Sequence, residues 1–237
     1  MTLKSKVGKV LIPLAPVNRR TFNLLRHEFA ALRCRLFSSI LPWRVARLHK
    51  LRQEKDLMIN LGSGGHSPEG WHEIDLRCHQ SNNIPWDIRT GLPFADKSVK
   101  YLYASHVLEH LDFRGDAPRL LNDCIRCLQE GGSVRIVVPD AKAFIDAYTS
   151  TDKSAWSAIG IDEFPDDIPT PMTMVNNVFH QAGEHLFAYD FETLEHLLRS
   201  SGFKHVIRST YRASQAFDPD LDLECHRLYS LYVEASA

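Results

Sequence analysis

No stretch of the 237-residue chain approaches the ~20 consecutive apolar residues of a membrane-spanning helix, which excludes a segment of that kind. Cysteine is scarce and badly placed for pairing. Five residues, at 34, 78, 124, 127 and 225, are odd in number and scattered, which argues against a disulfide framework and for reduced thiols in a cytoplasm. Cys124 and Cys127 make one C-x-x-C with no second pair, and they fall in a helical pattern, so packing on a helix face is the reading taken. The last glycine of a dinucleotide fingerprint is missing from the loop of "LMINLGSGGHSPEGWHEIDL", residues 57–76. The dinucleotide fingerprint G-x-G-x-x-G needs one at Ser67, and its ribose acid ~20 residues further on; here Asp75 arrives too soon. That argues against a nicotinamide dehydrogenase. Acids are almost absent from residues 1–55, which hold 13 Lys/Arg against 2 Asp/Glu, whereas the remainder holds 15 against 27. Such a split implies an appended basic element that meets an acidic partner or folds back on its own body. "VLIPLAPV", residues 10–17, has two prolines and no small-residue cleavage site, which argues against a signal peptide.

What is present is an ordinary globular composition, 44% hydrophobic and 24% charged. Phe22, Leu25, Phe29, Leu32 and Leu36 recur in steps of three and four, so the basic leader contains an amphipathic helix, ended by Pro42 and followed by a second helical piece. The apolar stripe is expected to pack on the main body as a brace, with arginines at its rim. The helix lacks the lysine-dense face and bulky anchors of a dedicated membrane helix, so peripheral membrane contact through residues 20–50 is the competing outcome. "LMINL", "HEIDL" and "VKYLYAS" read as strands. "DAPRLLNDCIRCLQEGG" reads as a helix N-capped by Asp116 and stopped by its glycines, and "SVRIVVPD" as an apolar central strand. "DFETLEHLLRSSGF" is a second capped helix, and "KHVIRST" with "RLYSLYVEA" an antiparallel pair. The alternation means an α/β layered sheet, with residues 1–55 as a helical extension and 56–237 as the main domain. Residues 150–189 fit neither period and read as an insertion. Only eight residues separate Gly64 from Glu73, so the first crossover must be a turn and not a helix.

Glycines end the first strand, an acid ends the second, "IPWDIRTGLPFADKSVKYLYASHVLEHL" covers the third and fourth, and "LQEGGSVRIVVPD" makes the fifth. This order, from about Leu57 to Asp140, resembles the class I S-adenosylmethionine-dependent methyltransferases, specifically the "LPF…VLEH" branch known as the type 11 methyltransferase domain. The resemblance implies a Rossmann-like α/β fold with a seven-stranded, mostly parallel sheet whose last strand is antiparallel. It implies S-adenosyl-L-methionine as cofactor. Gly62 and Gly64 then bring main-chain amides close to the methionine and ribose, where a Cβ collides. Asp75 accepts from the ribose hydroxyls, Asp87 with Ile88 meets the adenine, and Ser105 with His106 lines the methionine end and the transferred methyl. Two positions depart from the family: Asn60 stands where an acid is usual, keeping a carbonyl but losing the charge, and His66 replaces a loop glycine.

Methyl transfer mainly needs alignment, and a base only when the acceptor is a weak nucleophile such as a hydroxyl. "SHVLEHL" offers His106, Glu109 and His110; on a helix the two histidines share a face. His106 is the preferred base, with His180, Glu184 and His185 in second rank. "HVLEH" also satisfies H-x-x-E-H, the inverted zinc-peptidase pattern, with Glu184 as third ligand; that reading is set aside and no metal is assigned. A cofactor-binding module without catalysis is the other alternative. The acceptor expected from the resemblance is a small molecule or a glycan sugar, and nucleic acid is not expected because the catalytic part has no aromatic-and-basic groove.

Overall fold

The computed structural model describes residues 18–62, 64–65, 68–76, 83–152, 154–214 and 216–237; the readings at 10–17, His66 and Ser67 lie outside them. Seven strands form one sheet in the order β3-β2-β1-β4-β5-β7-β6. They are β1 (Leu57–Leu61), β2 (His72–Asp75), β3 (Asn83–Pro85), β4 (Val99–Ser105), β5 (Leu128–Pro139), β6 (His205–Ser209) and β7 (Ser230–Ser236). β1 through β5 pair in parallel, and β7 runs antiparallel to both β5 and β6. This is the Rossmann-like sheet the resemblance implies. Ile59, Leu102, Ile136 and Val233 are buried across its centre, as strands covered on both faces require. No helix interrupts the described part of the β1–β2 crossover; its residues form turns.

The helix α3 (Asp116–Cys127), numbered after two leader helices, buries Leu120, Leu121, Cys124 and Cys127, so the cysteines pack as helix-face residues. Its ends differ from expectation. Gly115 is the cap and gives no side-chain hydrogen bond, while Asp116 stands inside the first turn, where a negative charge still favours the helix N-terminus. The glycines do not stop it: the chain passes from Cys127 directly into β5, and Gly131 and Gly132 lie within that strand. There they allow an irregular register. Gly131 has φ +74°, and a Cβ on Gly132 would stand 2.9 Å from the Gln129 carbonyl oxygen and 3.0 Å from that of Lys100. α4 (Ala141–Thr149) follows, then α5 (Ser154–Ala158) and α6 (Pro171–His180), so the 150–189 segment contains two helices that its sequence period did not announce. α7 (Phe191–Ser200) begins as expected, with Asp190 accepting from the Thr193 N–H at 2.9 Å.

The leader forms α1 (Arg19–Ile40) and α2 (Pro42–Leu51). α1 is attached the opposite way round from expectation. Leu25, Phe29, Leu32 and Leu36 face solvent, 49–69% exposed, while Ala31, Cys34 and Ser38 are buried against the body. The inner face makes polar contacts. Arg35 pairs with Asp87, Glu28 with Arg89, and the Ser38 hydroxyl donates to the Pro85 carbonyl at 3.0 Å. α2 adds Leu48 and Leu51 to the main core. Among the described residues, no helix is long and apolar enough to cross a membrane.

Candidate active site

Each strand of the parallel half ends at one rim of the sheet, where open α/β sheets bind ligands, and a cavity of about 530 Å³ opens there. Gly62 follows β1 at φ +64°, and a Cβ on it would come within 2.5 Å of Val107 Cγ2, so only glycine fits both the turn and the contact. Gly64, at φ +59°, has open space where its Cβ would be, and its N–H donates to Asp75 Oδ2 at 3.2 Å. Gly62, Gly64, Asp75, Asp87, Ile88, His106 and His110 all line the cavity. Asn60 and Ser105 do not. Asn60 is 3% exposed within β1, and Ser105 is the last residue of β4.

Asp87 is already held by the protein's own cations. Only 2% exposed, it receives Arg35 Nε and Nη2 on Oδ2 at 2.9 and 2.6 Å, and Arg89 Nε and main-chain N–H on Oδ1 at 3.0 and 3.1 Å. Burial alone raises its pKa; the guanidinium hydrogen bonds outweigh that and hold the carboxyl below its usual range. The carboxylate at the cavity wall is therefore already ion-paired, not a lone acceptor. Arg35 was not foreseen as a neighbour of the cleft, because it lies 52 positions before Asp87. α1 closes the cavity on this side with Leu24, His27 and Ala30.

The H-x-x-E-H stretch is not one helix. His106 has φ +55°, an uncommon and costly conformation for a residue with a side chain, and stands before a short 3₁₀ turn, Leu108–His110. His106 and His110 consequently do not share a helical face, and the geometric premise of the zinc-peptidase pattern fails. What forms instead is a chain of contacts around His106. Its Nδ1 lies 3.2 Å from Glu109 Oε1, and its Nε2 is 3.0 Å from Ser230 Oγ at the start of β7. The ring of His226 stacks on it at 3.8 Å, with Tyr229 edge-on to both. Burial, then the neighbouring His106, lowers the His226 pKa to about 4, so this ring is neutral; burial pushes Tyr229 up to about 12. Ser230, His226 and Tyr229 were missed because more than a hundred residues separate them from His106. The sole hint was the polar "CHRLYS" leading into a strand.

The second-rank residues divide. Glu184 lines the cavity, His185 is buried behind it, and His180 is exposed at the end of α6 and does not line the cavity. His110 Nδ1 donates to the Glu184 carbonyl at 2.9 Å.

Residues 73–136 match the family model described as a methyltransferase domain. A solved S-adenosylmethionine-dependent methyltransferase from Mesorhizobium loti is 19% identical, with 81% of this chain and 96% of that one covered at a TM-score of 0.44. One from Archaeoglobus fulgidus is 14% identical, with 84% and 94% covered at 0.46. No curated protein matches the chain.

Proposed function

We propose that this chain is a class I S-adenosylmethionine-dependent methyltransferase, a reading its matched domain and sheet order support, and that it methylates a hydroxyl of a small-molecule or sugar acceptor. The observation that carries the acceptor assignment is His106 held between Glu109 and Ser230 on the wall of the cavity that also contains Gly62, Gly64 and Asp75. The residues fit the methionine and ribose half of the cofactor. Gly64 leaves space where a Cβ would intrude, Asp75 stands at the end of β2, and the cavity volume is within the ~300–1,000 Å³ usual for ligand sites.

Bound S-adenosylmethionine supplies an electrophilic methyl on a cationic sulfonium. The protein's contribution is alignment, at best ~7–11 kcal/mol, and proton removal from the acceptor. With its proton on Nδ1, the nitrogen in ionic contact with Glu109, His106 keeps a lone pair on Nε2. Ser230 engages that nitrogen here, so an acceptor hydroxyl has to displace this contact to lose its proton to it. As the proton arrives, the buried Glu109 carboxylate stabilises the imidazolium. The cavity wall also disfavours a polyanion: Glu28, Asp75, Asp87, Asp116 and Glu184 outnumber Arg26 and Arg89. A neutral acceptor fits this field better than a nucleic acid.

Labelled cofactor incubated with panels of hydroxylated small molecules and sugars tests the assignment. His106→Ala is expected to lower kcat by about 10²–10⁴-fold and leave cofactor affinity unchanged. A parallel loss of affinity, or full activity, would remove His106 as the base. Tight cofactor binding with no transfer to any acceptor would favour the inactive module.

A second reading concerns where the acceptor is met. The outward apolar stripe of α1, with Arg26 and Arg33 on its flank, supports peripheral contact with an anionic lipid surface. The buried, unpaired thiols of Cys124 and Cys127 support a reducing compartment such as the cytoplasm.

A further inference from the structure

Glu109, His110 and His185 converge just beyond the acceptor end of the cavity. One potential ligand atom from each lies within 4.8 Å of the others. We propose that these three residues bind one divalent transition-metal ion. The set is not the one written in H-x-x-E-H, because His106 is turned away to Ser230 and His185 comes from the segment after α6.

Two observations point to a ligand. First, Glu109 is 1% exposed, and among the described residues neither of its buried carboxylate oxygens has a hydrogen-bond partner; its ionic neighbour is His106. A buried carboxylate in that condition calls for a cation. Second, both imidazoles are oriented as metal ligands usually are. His110 Nδ1 donates to the Glu184 carbonyl, and His185 Nδ1 donates to the Val178 carbonyl at 2.6 Å. Each Nε2 therefore keeps its lone pair.

The frame is rigid before any ion arrives. The Glu109 carbonyl accepts from the N–H groups of Leu186 and Phe187 at 2.7 and 3.2 Å, which ties the 3₁₀ turn to the His185 segment. The two rings stand 5.0 Å apart at 74°. Ligands about 2.0–2.2 Å from a tetrahedral zinc are ~3.3 Å from each other, so closing the site needs a small rotation, which the exposed His110 can make. Two imidazoles and one carboxylate suit zinc, cobalt or ferrous iron and not magnesium or calcium. Three protein ligands leave a position open, and His110 places it on the cavity side.

The site shares Glu109 with the His106 pair of the proposed reaction, but metal binding is read without methyl transfer, so failure of one reading is distinguishable from failure of the other. Cobalt(II) titrated into the full-length, metal-stripped protein is expected to bind at one equivalent, with visible bands of a four- or five-coordinate site and no thiolate charge-transfer band. His110→Ala, a surface change, and Glu109→Gln should each weaken that binding at least tenfold. Thermal unfolding of the metal-free variants shows that each is folded. Stoichiometric binding that survives in folded His110→Ala would overturn the site and place the ion on other histidines. Thiolate bands, or no binding by the intact chain, would overturn it equally.

Discussion

Asp75 and Asp87 are carboxylates just beyond or at the ends of neighbouring strands, and the sequence treats them alike. Their surroundings separate them. Asp75 takes a main-chain N–H from Gly64 at the cavity wall, whereas Asp87 is buried under two guanidinium groups. Hydrogen bonds from a ribose diol to a charged acceptor are each worth about 1.5–3 kcal/mol. Asp75→Ala is accordingly expected to weaken S-adenosylmethionine binding by about 1–3 kcal/mol in calorimetry while unfolding at an unchanged temperature. Undiminished affinity would move the ribose elsewhere. His106 is the other residue whose role depends on more than its identity. Its left-handed backbone was invisible in "SHVLEH", which reads as the start of a helix, and that conformation is what turns its ring to Ser230 and leaves Glu109 beside Nδ1.

At the scale of the element, β5 hides a charged knot. Arg135 is 1% exposed in the middle of the strand, paired with Asp222 at 2.6 Å and Glu234 at 2.5 Å, and it donates to the Thr210 carbonyl. Tyr103 of β4 donates to the Asp222 carboxylate as well. Removing one member of such a pair leaves a buried charge poorly compensated, so Asp222→Ala is expected to cost about 3–5 kcal/mol in urea unfolding. A loss below about 1 kcal/mol would mean that Glu234 alone satisfies the guanidinium. The periodicity of "SVRIVVPD" announces a buried strand correctly, but the partners of its arginine lie 87 and 99 positions away, beyond any local pattern. The same division runs through the whole chain. The main strands, the two capped helices, the short first crossover and the antiparallel tail were legible because they follow from local spacing, whereas the helices α4, α5 and α6 were not. The α3 cap and the glycines inside β5 were not, because a glycine after a helix can serve as a stop or as a bulge. The cleft glycines and Asp75 were legible through motif order, whereas the environment of Asp87 depends on a separate helix.

The leader shows that limit at the scale of the molecule. An amphipathic period tells which residues of a helix share a face, but not whether that face turns inward. α1 turns its polar side in, where Arg35 and Glu28 engage Asp87 and Arg89, and leaves Phe29 69% exposed, with Trp43 of α2 at 67%. An exposed apolar stripe flanked by arginines is what an interfacial helix presents to anionic lipid, each arginine adding about 1 kcal/mol near such a surface. The full-length chain is therefore expected to sediment with vesicles rich in phosphatidylserine and to be released as salt shortens the ~10 Å screening length at 0.1 M. Phe29→Glu combined with Leu32→Glu should abolish sedimentation while leaving unfolding temperature and cofactor affinity intact, since neither side chain touches the polar contacts that hold α1. Arg35→Ala should do the reverse, loosening the roof of the cavity and weakening cofactor binding while vesicle binding persists. Failure of the intact protein to sediment at low salt would leave the stripe to a protein partner and end the lipid reading.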